Sequence, residues 1–153
     1  MAASTASTVE LAIRDKLLSN SKINDAVNGR IFLGHVPQNT AIPQRLIIVT
    51  DFDRRPVYHL GGETEVCQTS VQIDVYATDP GGFEFVGNGS NSIGEQIRQT
   101  FSGFHGLVGQ VFFSSCLLEK DDTTSTAPER RGSDAWRRRR TMEFEITHSI
   151  LEI

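Results

Sequence analysis

Residues 65–79, EVCQTSVQIDVYATD, alternate between two chemically different faces for longer than an ordinary strand and then stop at Asp79-Pro80-Gly81-Gly82. Cys67, Thr69, Val71, Ile73, Val75 and Ala77 fall on one side, and Gln68, Ser70, Gln72 and Asp74 on the other. Successive side chains of a strand point to opposite faces, so the pattern describes a strand with one face on a core and one towards water. Proline cannot continue the ladder, and paired glycines reach backbone angles closed to other residues, which ends the strand there. A sheet with one open face is therefore the scaffold that this chain must build.

The rest of the chain supplies partners for that strand. Residues 8–18 place Val9, Ala12, Ile13, Lys16 and Leu17 at helical spacing behind Ser7 or Thr8 as N-cap. A second helical turn over 21–27 ends at Asn28-Gly29, which readily takes left-handed angles. Residues 31–33 read as a short strand, Pro37 and Pro43 bound an irregular crossing, and 45–52 (RLIIVTDF) is a β-branched strand. Residues 53–64 are predicted to be a loop or the worn end of a hairpin, with the hairpin favoured. Ser92 and Glu95 form a capping box that starts a helix carrying Ile93, Ile97 and Phe101, although Gly94 weakens it. Residues 110–118 and 138–150 are strands that should pair as an antiparallel hairpin across a loop at 121–134.

The expected class is α+β: a mainly antiparallel sheet, two main helices packed on one face, and a long hairpin arm near the C-terminus. At 153 residues one core is expected, over 8–153, with a flexible N-terminal leader at 1–7. The opening MAASTASTVEL lacks the basic-then-apolar order of a secretion signal, and no apolar run reaches the ~18–20 residues that span a bilayer. The expectation is a soluble protein made inside the cell, without membrane contact. Cys67 and Cys116 sit in strand-like patterns without a CxxC pair and read as small buried hydrophobes.

No catalytic or metal constellation emerges. His35, His59, His105 and His148 are widely separated and lack HExxH or HxH spacing. Asp51 with Asp53, and Asp121 with Asp122, read as solvated acids at a strand end and a loop start. Gly87-Asn88-Gly89 before Gly94 fails the dinucleotide pattern, since Ser92 occupies the sixth position, and no GxSxG turn is present. No cofactor is expected and no enzyme.

The strongest charge feature is Arg130-Arg131 followed by Arg137, Arg138, Arg139 and Arg140, with Trp136 beside them. Arginine forks bind phosphate and tryptophan stacks on bases, so a small nucleic-acid-binding module using residues 130–140 is the alternative reading. Two observations oppose it. A net charge of −4 disfavours wholesale nucleic-acid binding, and strand alternation sends only half of a four-arginine run to one side. Arginine and tryptophan also dominate protein-interface hot spots, so a protein interface or a solvated hairpin arm ranks above DNA contact, with no specific nucleic acid expected.

Read in order, Gly29-Arg30-Ile31-Phe32, the crossing from His35-Val36-Pro37-Gln38-Asn39 to Pro43, the strand Leu46-Ile47-Ile48-Val49, and Val71-Gln72-Ile73-Asp74-Val75-Tyr76-Ala77 resemble the tail-completion, or tail-terminator, proteins of tailed bacteriophages. The resemblance covers most of residues 9–150. It implies an α+β structural virion protein without enzymatic activity, made in the host cytoplasm and located in the tail or neck. Such proteins form a ring, often a hexamer, that caps the head-proximal end of the tail tube, ends its growth and joins it to the head connector. The implied partners are further copies of the chain, the tail tube protein and the neck proteins. Ring contacts are head-to-tail and need two different complementary patches. Candidates are the 53–64 segment, with Arg54, Arg55 and Tyr58, and the 121–140 arm, with Arg130, Arg131, Trp136 and Arg137 to Arg140.

Overall fold

The computed structural model describes residues 8–37, 45–59, 62–78, 85–87, 89–126 and 137–150. In chain order the elements are α1 (Val9–Ser19), α2 (Ser21–Val27), β1 (Ile31–Leu33), β2 (Arg45–His59), β3 (Gly62–Ala77), α3 (Ile93–Phe101), β4 (Gly106–Val108), β5 (Val111–Thr126) and β6 (Arg137–Ile150). The six strands form one sheet in the order β1-β2-β3-β6-β5-β4. β1 runs parallel to β2, and every other neighbouring pair is antiparallel.

Local chemistry sets the helix ends. The hydroxyl of Thr8 accepts from the Leu11 amide at 3.3 Å and starts α1. Asn20 closes α1 and opens α2, its side-chain oxygen accepting from the amides of Lys22 and Ile23. Asn28 ends α2 at φ 52, with Gly29 following at φ 73, so two left-handed residues turn the chain into β1. Ser92 caps α3 by accepting from the Glu95 amide at 3.1 Å, and its own hydroxyl donates to the Gly87 carbonyl at 2.6 Å.

The alternation seen in the sequence holds along the inward rows of β3 and β6, whereas in β5 a bulge between Phe113 and Ser115 shifts it, so that Cys116 follows Phe113 inward. Ile47, Val49, Val71, Ile73, Val75, Ala77, Val111, Phe113, Cys116, Met142, Phe144 and Ile146 are buried in one cluster, together with Val9, Ala12, Ile13 and Leu17 of α1, Ile23 and Val27 of α2, and Ile93, Ile97 and Phe101 of α3. Phe101 tilts against Phe144 with ring centroids 6.0 Å apart, which docks the end of α3 on β6. The inward row ends in a polar pair, Thr69 and His148, both buried and joined at 2.7 Å.

The hairpin favoured for 53–64 is present: β2 runs to His59 and β3 starts at Gly62, with register irregularities between Asp51 and Asp53 and between Pro56 and Tyr58. Two expectations change. Residues 121–126 are strand rather than loop, because β6 begins at Arg137 and carries the ladder out to Thr126 opposite Arg137. β4 was unforeseen, since its three residues begin on Gly106 and are flanked by Gly103 and Gly109, all three glycines at positive φ. The leader at 1–7, the core of the crossing at 38–44 and the loop at 127–136 lie outside the described residues.

Candidate assembly surfaces

Arg138 and Arg140 share the inward parity of Met142, Phe144 and Ile146, whereas Arg139 takes the outer face. Arg140 is 1% exposed. Its Nε donates to Asp121 Oδ1 at 2.8 Å and its Nη2 to Oδ2 at 2.7 Å, a two-pronged grip on the neighbouring strand. Nη1 donates to the carbonyls of Gly87 at 2.8 Å and Val86 at 3.3 Å, and Nη2 reaches Glu95 Oε2 at 3.5 Å. Hydrogen bonding to Asp121 holds the guanidinium pKa above its usual value against the cost of burial. Glu95 is bound chiefly by Arg98, and that contact holds its carboxyl below the ordinary range, with Arg140 adding to it. Arg140 therefore ties β6, β5 and the start of α3 together.

Arg139 is held on the outer face. Its Nε donates to Asp74 Oδ1 at 2.9 Å, where Thr141 Oγ1 also donates at 2.7 Å, and Gln72 Nε2 donates to Oδ2 at 2.7 Å. The guanidinium lies 5.6 Å from the Tyr76 ring centroid. Arg138, Arg139 and Arg140 thus do not build one basic face. Arg140 is enclosed within the fold and Arg138 is buried, because alternation points both at the core side. Arg130, Arg131 and Trp136 lie outside the described residues, and Tyr58 and Arg137 are described in backbone alone.

Arg54 and Arg55 do stand on a surface. Both are exposed on β2 beside Phe52, which is 54% exposed. Their ion pairs are loose: Arg54 with Asp51 at 3.9 Å, Arg55 with Asp53 at 3.4 Å and with Glu145 at 3.5 Å. Exposed pairs of this kind contribute little to stability and leave the guanidinium groups available.

A second surface lies at the other end of the sheet. Leu107 and Phe112 face one another across β4 and β5, and Leu117 follows on β5; all three are exposed, Leu117 by 55%. Exposed Glu119, Lys120 and Asp122 continue the same strand. This apolar patch was not anticipated, yet a signal was there: Phe112-Phe113 and Leu117-Leu118 are adjacent apolar pairs, and a strand can turn only one member of each inward.

These two surfaces coincide with two open sheet rims. β1 pairs only with Ile47 to Val49 of β2, and β4 only with Val111 to Phe113 of β5. Among the described residues, 50–59 of β2 and 114–126 of β5 have a strand partner on one side only. Among the same residues no three metal-ligating side chains come together, and no helix is long and apolar enough to cross a membrane.

A family model described as "Tail completion protein gp17" matches residues 11–112. A solved chain from a structure titled "Virion of native gene transfer agent (GTA) particle" superposes with a TM-score of 0.63, at 11% sequence identity, covering 95% of this chain and 97% of that one. That likeness shows a shared fold. No curated protein matches the chain.

Proposed function

Because the chain belongs to the tail completion protein gp17 family, we propose that it is a structural component of a phage tail that forms a ring, of six subunits in this reading, on the head-proximal end of the tail tube. The ring ends tube growth and offers a second face to the head connector. Its mechanism is geometric rather than catalytic, and its place is the tail or neck of the virion after synthesis in the host cytoplasm. The observation that carries the reading is the family match over residues 11–112, which runs from α1 into the start of β5.

The geometry supports it in one further respect. A closed ring needs two unlike patches on each subunit, and the sheet presents a charged rim around Phe52, Arg54 and Arg55 at one end and an apolar-acidic rim around Leu107, Phe112, Leu117, Glu119 and Asp122 at the other. In this reading Tyr58 belongs to the first contact, and Arg130, Arg131, Trp136 and Arg137 serve the contacts with tube or neck. Against the nucleic-acid alternative stand Arg140, which is enclosed, and Arg139, which is paired with Asp74; Arg130, Arg131 and Trp136 lie outside the described residues.

The test is electron microscopy of tails assembled without this protein and then incubated with it. Added density confined to one tube end, with heads joining only treated tails, is the expected result. Binding along the whole tube, or none, overturns the proposal.

A further inference from the structure

Both edge strands of the sheet are three residues long, while the strands they flank have 15 and 16 residues. Long open edges carry rows of backbone donors and acceptors that invite another strand, and monomeric proteins usually blunt them. Here no strand among the described residues covers 50–59 or 114–126, although Pro56 and two bulges interrupt the β2 rim and the Gly103 amide donates to the Cys116 carbonyl at 2.8 Å on the β5 rim. We propose that the β2 rim of one copy pairs with the β5 rim of the next, so that the sheet runs on from subunit to subunit. The inference rests on the ring reading above and names the contact that would close it.

Three observations select a second copy of this chain as the occupant. The first is direction. β2 is antiparallel to β3, β3 to β6 and β6 to β5, so β2 and β5 run opposite ways. A neighbour that continues the sheet in the same orientation therefore brings its β2 antiparallel to β5, the more favourable pairing.

The second is side-chain chemistry. All the exposed large hydrophobic residues among those described, Phe52, Leu107, Phe112 and Leu117, lie on β2 or on the β4–β5 side. Joining the rims brings Phe52 to the side of the sheet that carries Leu117, whereas Leu107 and Phe112 already face one another across β4 and β5. The third is charge. Arg54 and Arg55 project from β2 with loose ion pairs to Asp51, Asp53 and Glu145, and β5 projects Glu119 beside the exposed Lys120–Asp122 pair at 3.4 Å, which leaves one acid in excess on that rim. The two rims are unlike each other, so pairing is head-to-tail and propagates, which a ring requires.

The decisive experiment compares hydrogen exchange of the free full-length protein with that of the protein assembled on tail tubes. Alternate amides of 50–59 and 114–126 should exchange quickly when free and slow by at least about tenfold on assembly, since a shared ladder protects them. Charge reversal supplies a second reading. Arg54→Glu/Arg55→Glu and Glu119→Lys/Asp122→Lys should each abolish rings at tube ends, and both sets in one chain should restore them. Thermal unfolding of the free variants establishes that each still folds.

Rings that form without protection of either rim, or a folded combined variant that stays unassembled, overturn this inference and leave the ring reading intact. No ring at the tube end, with the unaltered protein, overturns both.

Discussion

Gly94 lies so close to Arg140 that a Cβ there would sit 2.8 Å from Nη1 and 3.1 Å from Cδ, and 2.6 Å from the Val86 carbonyl oxygen. The glycine that weakens α3 as a helix is thus what lets its first turn close over a buried guanidinium. Alanine would gain about 1 kcal/mol of helix propensity. It would also force a backbone carbonyl and a fully engaged arginine to move. We expect Gly94→Ala to be destabilised by a net of about 1–3 kcal/mol, the range for overpacking a filled site, read as a lower urea midpoint with unchanged slope. Gly89, with no atom within 4 Å of its would-be Cβ, is the control, and Gly89→Ala should stay within about 1 kcal/mol of the parent. Equal stability of the two variants would refute the argument.

The neighbouring arginines should differ in what their removal costs. Arg140→Met leaves Asp121 and the carbonyls of Gly87 and Val86 without their guanidinium donor, while Glu95 keeps Arg98, and breaking a buried pair by deleting one partner costs about 3–5 kcal/mol. The lower end is expected, because the Asp121 side chain keeps 25% exposure and can rehydrate. Arg139 is 41% exposed, and Asp74 would retain Thr141 and Gln72 as donors. Arg139→Met should cost about 1.5–2 kcal/mol, the lower part of the range of about 1.5–3 kcal/mol for one hydrogen bond to a charged group. Denaturant unfolding of both variants checks the order, and a reversal of it would count against the clamp described for Arg140.

How much of this was legible beforehand depended on which interactions decide each segment. The strand at 65–77 was legible because burial on one face writes itself into every second residue, and the same rule foretold that Arg139 and Arg140 part company. Asn28-Gly29 and the Ser92 cap were legible because a single local geometry demands those residues. Residues 121–126 read as loop because Asp, Thr and Ser favour turns; their strand comes from pairing with β6 and from the grip of Arg140 on Asp121, both remote in sequence. The two rims were legible only in outline, for what opens them is the shortness of β1 and β4, a property of the finished sheet.

The two cysteines should separate chemically. Burial pushes the Cys116 thiol up to about 12, whereas Cys67 is only half-buried. The thiolate is the nucleophile, so Cys116 has almost none to offer near neutrality. At pH 8, iodoacetamide should modify Cys67 in the native protein and Cys116 only after unfolding, as located by peptide mass spectrometry. Equal modification under native conditions would show that the β5 interior opens far more readily than its packing implies.

His148 gives the fold a defined acid sensitivity. Its Nε2 lies 2.7 Å from Thr69 Oγ1, its Nδ1 is buried with no hydrogen-bond partner among the described residues, and burial, with a smaller push from the Arg54 charge, holds its pKa below the ordinary 6.5. As pH falls, the unfolded chain takes up this proton first, so the native state loses stability between 6.5 and the lower folded value. Above that window the group is neutral in both states and contributes no slope. Glu10 has the opposite sign, its carboxyl raised above 4.5 mainly by burial, but its effect begins from the carboxylate range and is common to parent and variant. His148→Gln, which keeps a polar partner for Thr69 and cannot titrate, should be less dependent on pH. Between pH 7.5 and 5.5 the unfolding free energy of the parent should fall more steeply than that of the variant, by up to about 1.4 kcal/mol per pH unit, the limit for one proton. Parallel stability curves for the two proteins would mean that His148 is solvated in the native state, and that the polar end of the inward row is not closed.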